Sequence, residues 1–255
     1  MNTIRRYFAE ICFKGTQYHG WQVQPNAVTV QQVLNQMLNT VFRQTVETVG
    51  CGRTDAGVHA TQFYVHFDVS DVDMPFEEQR SLNSLNALLP YDIAVKRLIP
   101  VKPDAHARFD ATLRSYEYRI HFEKDPFKKD LSWQLRDRPD IAVMNKASAI
   151  LQQYRDFSCF SKSNTQVFTN NCMIKEAVWR EQADGIVFYI SADRFLRNMV
   201  RAIVGTLLEV GRGEMAPEAL HDIIMSKDRS NAGTSVPACG LYLTAVHYPY
   251  IESQN

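Results

Sequence analysis

No stretch of this 255-residue chain stays apolar for the roughly 18 residues that a membrane helix needs. Met1-Asn2-Thr3-Ile4-Arg5-Arg6 is not followed by the apolar core of a signal peptide either. These absences point to a cytoplasmic protein. Paired cysteines are also missing: Cys12, Cys51, Cys159, Cys172 and Cys239 stand singly, with no C-x-x-C. Such spacing suits neither a disulfide framework nor a zinc site and predicts reduced thiols. The seven histidines, at 19, 59, 66, 106, 121, 221 and 247, show no metal-ligand spacing. The motifs G-x-x-x-x-G-K-[ST], G-x-G-x-x-G and H-E-x-x-H are absent, so the usual nucleotide and zinc-protease sites have no support. Net charge is lacking too, with 28 basic and 28 acidic residues, which argues against a histone-like binder held by bulk charge. A local basic surface remains compatible with that sum, because Asp68 to Glu78 contains five carboxylates and no Lys or Arg.

What is present is the composition of a globular protein, 45% hydrophobic and 22% charged, in a chain long enough to bury a core. Tyr7, Ala9, Ile11 and Phe13 alternate as in a strand. From Thr29, an N-cap residue, Val30, Val33, Leu34, Met37, Leu38 and Val41 recur at helical spacing. A short strand at Thr48-Val49-Gly50, a loop from Gly52 to Gly57 and a strand through Phe63, Val65, Phe67 and Val69 follow. Leu82, Leu85, Leu88 and Leu89 predict a helix ended by Pro90, before a strand at Ile93-Ala94-Val95. The order β-α-β-β-α-β is that of a ferredoxin-like unit.

The second half repeats the pattern without repeating the residues. A strand runs through Tyr116, Tyr118, Ile120 and Phe122, and a helix through Ile141, Met144, Ile150, Leu151 and Tyr154. Strands at Met173 to Val178 and Gly185 to Ile190 flank a turn at Asp184-Gly185. Helices are predicted from Phe195 to Val210 and from Met215 to Met225, with Pro217 in the first turn of the latter, and Leu241-Tyr242-Leu243 closes the series. The expected fold is α+β, with two ferredoxin-like, RRM-like halves of antiparallel sheet and a catalytic cleft between them. The halves are residues 1–102, carrying the Asp loop, and 103–255, joined near Pro100 to Pro103.

Three features bear chemistry. In Cys51-Gly52-Arg53-Thr54-Asp55-Ala56-Gly57-Val58-His59-Ala60, two glycines five apart permit a tight turn or a close approach to a ligand. Arg53 beside Asp55 favours an ionised carboxylate, suited to a nucleophile or base and badly suited to a general acid. A turn in which Asp55 merely caps a backbone N–H is the plainer alternative. In Arg114-Ser115-Tyr116-Glu117-Tyr118-Arg119, both tyrosines share one strand face, where aromatics either stack bases or fill a core. Lastly, Arg194, Arg197, Asn198 and Arg201 fall on one face if Arg194 to Arg201 is helical, and Gly205 extends that face for something to approach.

The loop Gly52 to Ala60 resembles the catalytic signature of the tRNA pseudouridine synthase A family. Other blocks resemble that family in the same order: Gly20-Trp21-Gln22; Asn86 with Leu89 to Val95; His106-Ala107-Arg108-Phe109 with Ala111-Thr112; Arg114 with Tyr116-Glu117-Tyr118; Phe195-Leu196 with Met199-Val200-Arg201; and Gly240 to Leu243. Where the family has Tyr-Asp-Gly near the amino end, this chain has Phe13-Lys14-Gly15. The resemblance implies isomerisation of uridine to pseudouridine at positions 38, 39 and 40 of the tRNA anticodon stem-loop. It implies a homodimer with no metal and no organic cofactor. Asp55 would be the nucleophile, and Tyr116 would lie against the target base and help remove its C5 proton. Arg201 would pair with Asp55 and help extrude the nucleotide, and Arg53 would bind phosphate or steady the loop.

One carboxylate suits an isomerase. Glycosidases pair two carboxylates because they bring in water, whereas this reaction must exclude it. Attack at C1′, addition at C6 and removal of a sugar proton all remain open to Asp55. Flipping the target from its stem costs a few kcal/mol. Phosphate contacts are expected from Arg53, Arg108 and Arg114 first, then Arg119, Lys124, Lys128, Lys129, Arg194 and Arg197. The rivals are a pseudouridine synthase with other RNA targets, a non-catalytic RNA-binding protein, and a nucleosidase that releases uracil.

Overall fold

The computed structural model describes residues 4–70, 77–162 and 169–252. By contact the chain divides into two compact units, Met1–Thr112 with Leu243–Asn255, and Leu113–Tyr242. Among the described residues there are nine strands and five α-helices, an α+β composition in which nearly every strand pairing is antiparallel. No helix among them is long and apolar enough to cross a membrane.

The first unit runs β1 (Ile4–Phe13), α1 (Val30–Phe42), β2 (Val49–Gly50), β3 (His59–Ser70), α2 (Glu78–Leu88) and β4 (Ile93–Val101). Its sheet order is β4-β1-β3-β2, antiparallel throughout. Thr29 caps α1 as expected, its side chain accepting from the Gln32 N–H at 3.3 Å. Both sheet faces are covered, so the period-2 pattern of β1 reveals only one of them. On one face Tyr7 meets Phe67 and Phe42 of α1 meets the same ring. On the other, Phe8 and Tyr64 both meet Tyr248 at 5.2 Å. Glu10 is buried there and accepts from Arg97 Nε at 2.6 Å, the Tyr64 hydroxyl at 3.0 Å and Gln62 at 3.0 Å. Those bonds hold its carboxyl below the usual range against the opposing effect of burial. Of the acidic stretch Asp68 to Glu78, residues 71–76 lie outside the described residues, and Asp68 itself pairs with Arg6 at 2.7 Å.

Residues beyond β4 stay with this unit. Ala107 N–H donates to His66 Nδ1 at 3.1 Å, and its carbonyl accepts from the Tyr248 hydroxyl at 2.6 Å. By contact, the first unit extends along the chain to Thr112. His66 is 6% exposed. Burial, then His106 and Arg6, push its pKa down to about 4. The unfolded chain, with an ordinary value near 6.5, takes up a proton that the folded chain refuses as the pH falls. Stability from this group is thus complete above about pH 6.5, and about 3 kcal/mol of it is lost by about pH 4. Chemical denaturation of the protein at pH 7 and 4.5 should show most of that loss, and His66→Gln should flatten it. A flat parent profile across the window would contradict the assignment.

The second unit runs β5 (Leu113–His121), β6 (Trp133–Gln134), α3 (Ile141–Ile150), β7 (Ile174–Gln182), β8 (Gly185–Ala192), α4 (Met199–Gly211) and α5 (Ala219–Ser226). β9 (Leu241–His247) follows, its first two residues in this unit and the rest in the first. β8 pairs antiparallel with β5 and β7, while β6 pairs parallel with β5. The hairpin turn is Ala183-Asp184, one residue earlier than the spacing predicts. α4 is buried along nearly its whole length and is the unit's central element.

Three helices are shorter than the apolar pattern predicts. α4 begins at Met199, because Asn198 sits at a φ of 66° and the Leu196 carbonyl takes the Met199 N–H at 3.1 Å. Arg194 and Arg197 therefore precede the helix and do not share a helical face with Arg201. Hydrophobic periodicity cannot register one left-handed residue. α5 begins at Ala219, so Pro217 lies ahead of the helix. α3 ends at Ile150 and passes into a 3-10 turn, Leu151–Gln153.

Candidate active site

Asp55 stands half-buried on the loop between β2 and β3. The backbone itself closes the turn: the Asp55 carbonyl accepts from Val58 N–H at 3.2 Å, with Gly57 at a φ of 79°. That is the third position of a type II turn, where only glycine is comfortable. Capping by the Asp55 carboxylate is thus not needed to close it, and the turn alone does not account for an aspartate at this position.

A second loop backs the first. Trp21 N–H donates to the Thr54 carbonyl at 3.2 Å, and Gly57 N–H to the Tyr18 carbonyl at 3.3 Å. Gly20 combines a φ of 84° with contact so close that a Cβ would fall 2.3 Å from the Thr54 carbonyl oxygen. Gly15 N–H donates to Nδ1 of the buried His59 at 3.0 Å, which makes His59 a structural brace with its proton on Nε2. Lys14 N–H donates to the Asp92 carbonyl at 2.8 Å, and the Tyr18 hydroxyl to the Asp92 carboxylate at 2.6 Å. Phe13-Lys14-Gly15, where this chain departs from the family pattern, therefore belongs to the scaffold behind Asp55. The block Gly20-Trp21-Gln22 is visible in the sequence, but its role is not, because carbonyl contacts between loops carry no periodic signal.

The two glycines of the signature have separate roles. Gly52 is not at positive φ, and a Cβ built there meets no atom within 4 Å. Nothing among the described residues requires a glycine at this place. Gly52→Ala should leave stability unchanged or raise it by up to about 1 kcal/mol. If the expected nucleotide approaches the backbone at Gly52, the same substitution should cut turnover at least tenfold. Unfolding midpoints and single-turnover rates check the two halves. Parental turnover in the alanine variant would show that nothing approaches this position.

The other expected catalytic residues lie in the second unit. Tyr116 on β5 pairs with Ile190 of β8, and its half-exposed ring meets Phe195 edge-on at 5.0 Å. Tyr118, on the same strand face, is fully buried and donates its hydroxyl to the Pro237 carbonyl at 2.7 Å. Burial raises its pKa far above the ordinary phenol value. The tyrosine pair thus divides into one open ring and one core ring. Arg201 is the third residue of α4. Its Nε donates to the Val236 carbonyl at 2.7 Å, and Val236 N–H returns a bond to the Arg201 carbonyl at 3.2 Å.

The segment 232–237 that clamps Arg201 escaped the sequence reading. Asn198 donates to the Ser235 hydroxyl at 2.5 Å and Arg229 to the same hydroxyl at 3.0 Å. Gly205 lets this segment approach: a Cβ there would fall 1.9 Å from the Thr234 carbonyl oxygen. What comes close to Gly205 is the chain itself. Its glycine signal was legible, but its partner was not.

The expected phosphate contacts separate by what they already touch. Arg53, Arg108, Lys124, Lys129 and Arg197 are exposed. Arg114 donates to the Asp193 carbonyl at 2.8 Å. Arg119 is paired with Glu117 at 2.8 Å and lies 4.0 Å from the Tyr242 ring centre, and Lys128 is paired with Asp184. Arg194 is half-buried. None of the five cysteines is in a disulfide, and Cys51, Cys159 and Cys172 are buried. Burial raises Cys159 and Cys172 to about 12, which removes thiolate chemistry from both. Among the described residues no group of three or more His, Cys, Asp or Glu is placed to hold a metal.

Comparison with known proteins places this arrangement. A family model described as tRNA pseudouridine synthase matches residues 9–110 and 153–249, ranges that include Asp55 and Arg201 and leave out Tyr116. The tRNA pseudouridine synthase A of Parabacteroides distasonis is 50% identical over 96% of this chain and 97% of its own. That of Porphyromonas gingivalis is 51% identical over 96% and 98%. That of Bacillus subtilis is 38% identical over 93% and 97%. With a family model across most of its length and relatives of this identity from end to end, the chain belongs to the tRNA pseudouridine synthase family.

Proposed function

We propose that the protein isomerises uridine to pseudouridine in tRNA, at positions 38, 39 and 40 of the anticodon stem-loop, with Asp55 as its nucleophile. The observation that carries this reading is the placement of Asp55. It sits half-buried on a turn closed by backbone bonds and braced by a second loop, within a chain of this family. Rigid support of that kind is what a group needs to act on one atom of a bound nucleotide.

The reaction breaks the bond from C1′ to N1, turns the uracil, and joins C1′ to C5, whose proton leaves for water while N1 takes one up. An ionised carboxylate serves each of the routes open to Asp55. Tyr116 lies against the base and assists removal of the C5 proton, its ring steadied by Phe195. Arg201 pairs with Asp55 and helps extrude the target nucleotide, while Arg53, Arg108 and Arg114 take up phosphates. The enzyme works in the cytoplasm as a homodimer, without metal or organic cofactor. Each half is a ferredoxin-like domain, a reading supported in the first unit by the sheet order β4-β1-β3-β2.

Anticodon stem-loop RNA with tritium at C5 of its uridines, incubated with protein alone, tests the function. Forming the C–C bond must release that hydrogen to water. Release at positions 38 to 40 is the expected result. Release only from other uridines would move the target, and free uracil without tritiated water would replace the isomerase by a nucleosidase. No release from stem-loop or whole tRNA would overturn the enzyme reading.

A further inference from the structure

Phe109 is 73% exposed in the short turn after β4. Burying such a ring is worth about 1.5–3 kcal/mol, so a fold that holds one out has forgone that gain. It is held out firmly. The Asp110 carboxylate accepts from His106 N–H at 2.8 Å, and His106 Nδ1 accepts from the N–H groups of Arg108 and Phe109 at 3.1 and 3.3 Å. The Tyr250 hydroxyl donates to the same carboxylate at 2.6 Å, and these bonds keep Asp110 ionised well below the ordinary range. Between them Ala107 is fully buried and tied to His66 and Tyr248. The turn is rigid before any ligand arrives, so ordering it costs nothing on binding.

The chemistry around the ring selects the ligand. The His106 ring lies 4.3 Å from the Phe109 ring at 33°, and the Arg108 guanidinium 5.6 Å from the Phe109 centroid. The neighbours of the ring in the turn are thus histidine, arginine and aspartate, unlike the contiguous apolar patch that a protein partner buries. A largely exposed ring with a guanidinium over it is instead a combination that holds unpaired nucleic acid, by stacking one base on the exposed surface and meeting its phosphate. We propose that the His106–Asp110 turn is a nucleotide platform, on which Phe109 stacks one unpaired base of the RNA substrate and Arg108 engages the adjoining phosphate. This assignment rests on the tRNA reading above. It adds a site at which the RNA is held, apart from the loop that carries Asp55.

The test compares Phe109→Ala, Phe109→Trp and Arg108→Ala in equilibrium binding to anticodon stem-loop RNA and whole tRNA across a salt series. Stacking of one base predicts that the alanine variant binds about tenfold more weakly or worse. Its salt dependence should be unchanged and the tryptophan variant should bind like the parent. Arg108→Ala should reduce the slope of log K against log salt by about one. RNA carrying 2-aminopurine at single positions should show one nucleotide quenched by the parent and not by Phe109→Ala. Parental affinity in Phe109→Ala overturns the platform. So does an equal loss in the tryptophan variant, or a change in oligomeric state with affinity intact, which would make the ring a protein contact. Pseudouridine formation by the parent, followed in parallel, separates this outcome from failure of the functional reading. A parent that converts no uridine removes the enzyme, whereas an active parent with unaltered binding in Phe109→Ala removes only the platform.

Discussion

Asp55→Asn should lower tritium release from stem-loop RNA by about 10⁴-fold or more, the scale on which loss of a nucleophile is felt. Affinity for tRNA should stay within about threefold of the parent's. The division follows from how the loop is built. The turn is closed by backbone bonds, the Asp55 carbonyl to Val58 and the Thr54 carbonyl to Trp21, and asparagine leaves these two in place. The replacement is nearly isosteric and keeps an oxygen at the same point, but loses the charge. The backbone turn therefore survives the change, while the nucleophilic charge does not. Single-turnover rates and equilibrium binding measured on one preparation decide it. An equal loss in both would mean that Asp55 holds RNA rather than attacks it, and parental turnover in Asp55→Asn would end its role as nucleophile.

The same loop shows how far sequence could reach. The order of strands and helices was legible because burial imposes a period, and Thr29, Pro90 and the turn before Gly185 mark where periods stop. The loop that carries Asp55 stood out because Gly52 to Ala60 is a long and specific signature. What escaped was whatever depends on atoms far apart in sequence meeting at one carbonyl or hydroxyl. Gly20 against Thr54, Gly205 against Thr234 and Ser235 between Asn198 and Arg229 are of this kind. Each is a polar or close-packed contact between irregular segments, where neither helical nor strand period applies. The start of α4 failed for a related reason: an apolar run from Phe195 onward continues smoothly in composition while the backbone breaks at Asn198. Tyr116 and Tyr118 were placed on one face correctly, yet only the burial of Tyr118 separates the open ring from the core ring.

Arg201→Ala should cut turnover by about 10²–10³-fold, the usual cost of removing one preorganised electrostatic partner, while changing stability by no more than about 1 kcal/mol. The position itself argues for this asymmetry. A cation in the first turn of α4 sits at the positive end of the helix dipole, a placement that costs about 0.3–1 kcal/mol. Removing it relieves that cost and forfeits the hydrogen bond from Nε to the Val236 carbonyl, which is of comparable worth. On the function proposed above, the gain from arginine here is expected in turnover rather than in folding. Arg201→Lys sharpens the point. Lysine keeps the charge but cannot hold Val236 through one nitrogen while presenting two others in a fixed fork. It should stay at least tenfold below the parent, with a stability close to that of the alanine variant. Tritium release and thermal unfolding of both variants check the pair, and turnover within threefold of the parent in Arg201→Ala would show that Asp55 needs no cation from this helix.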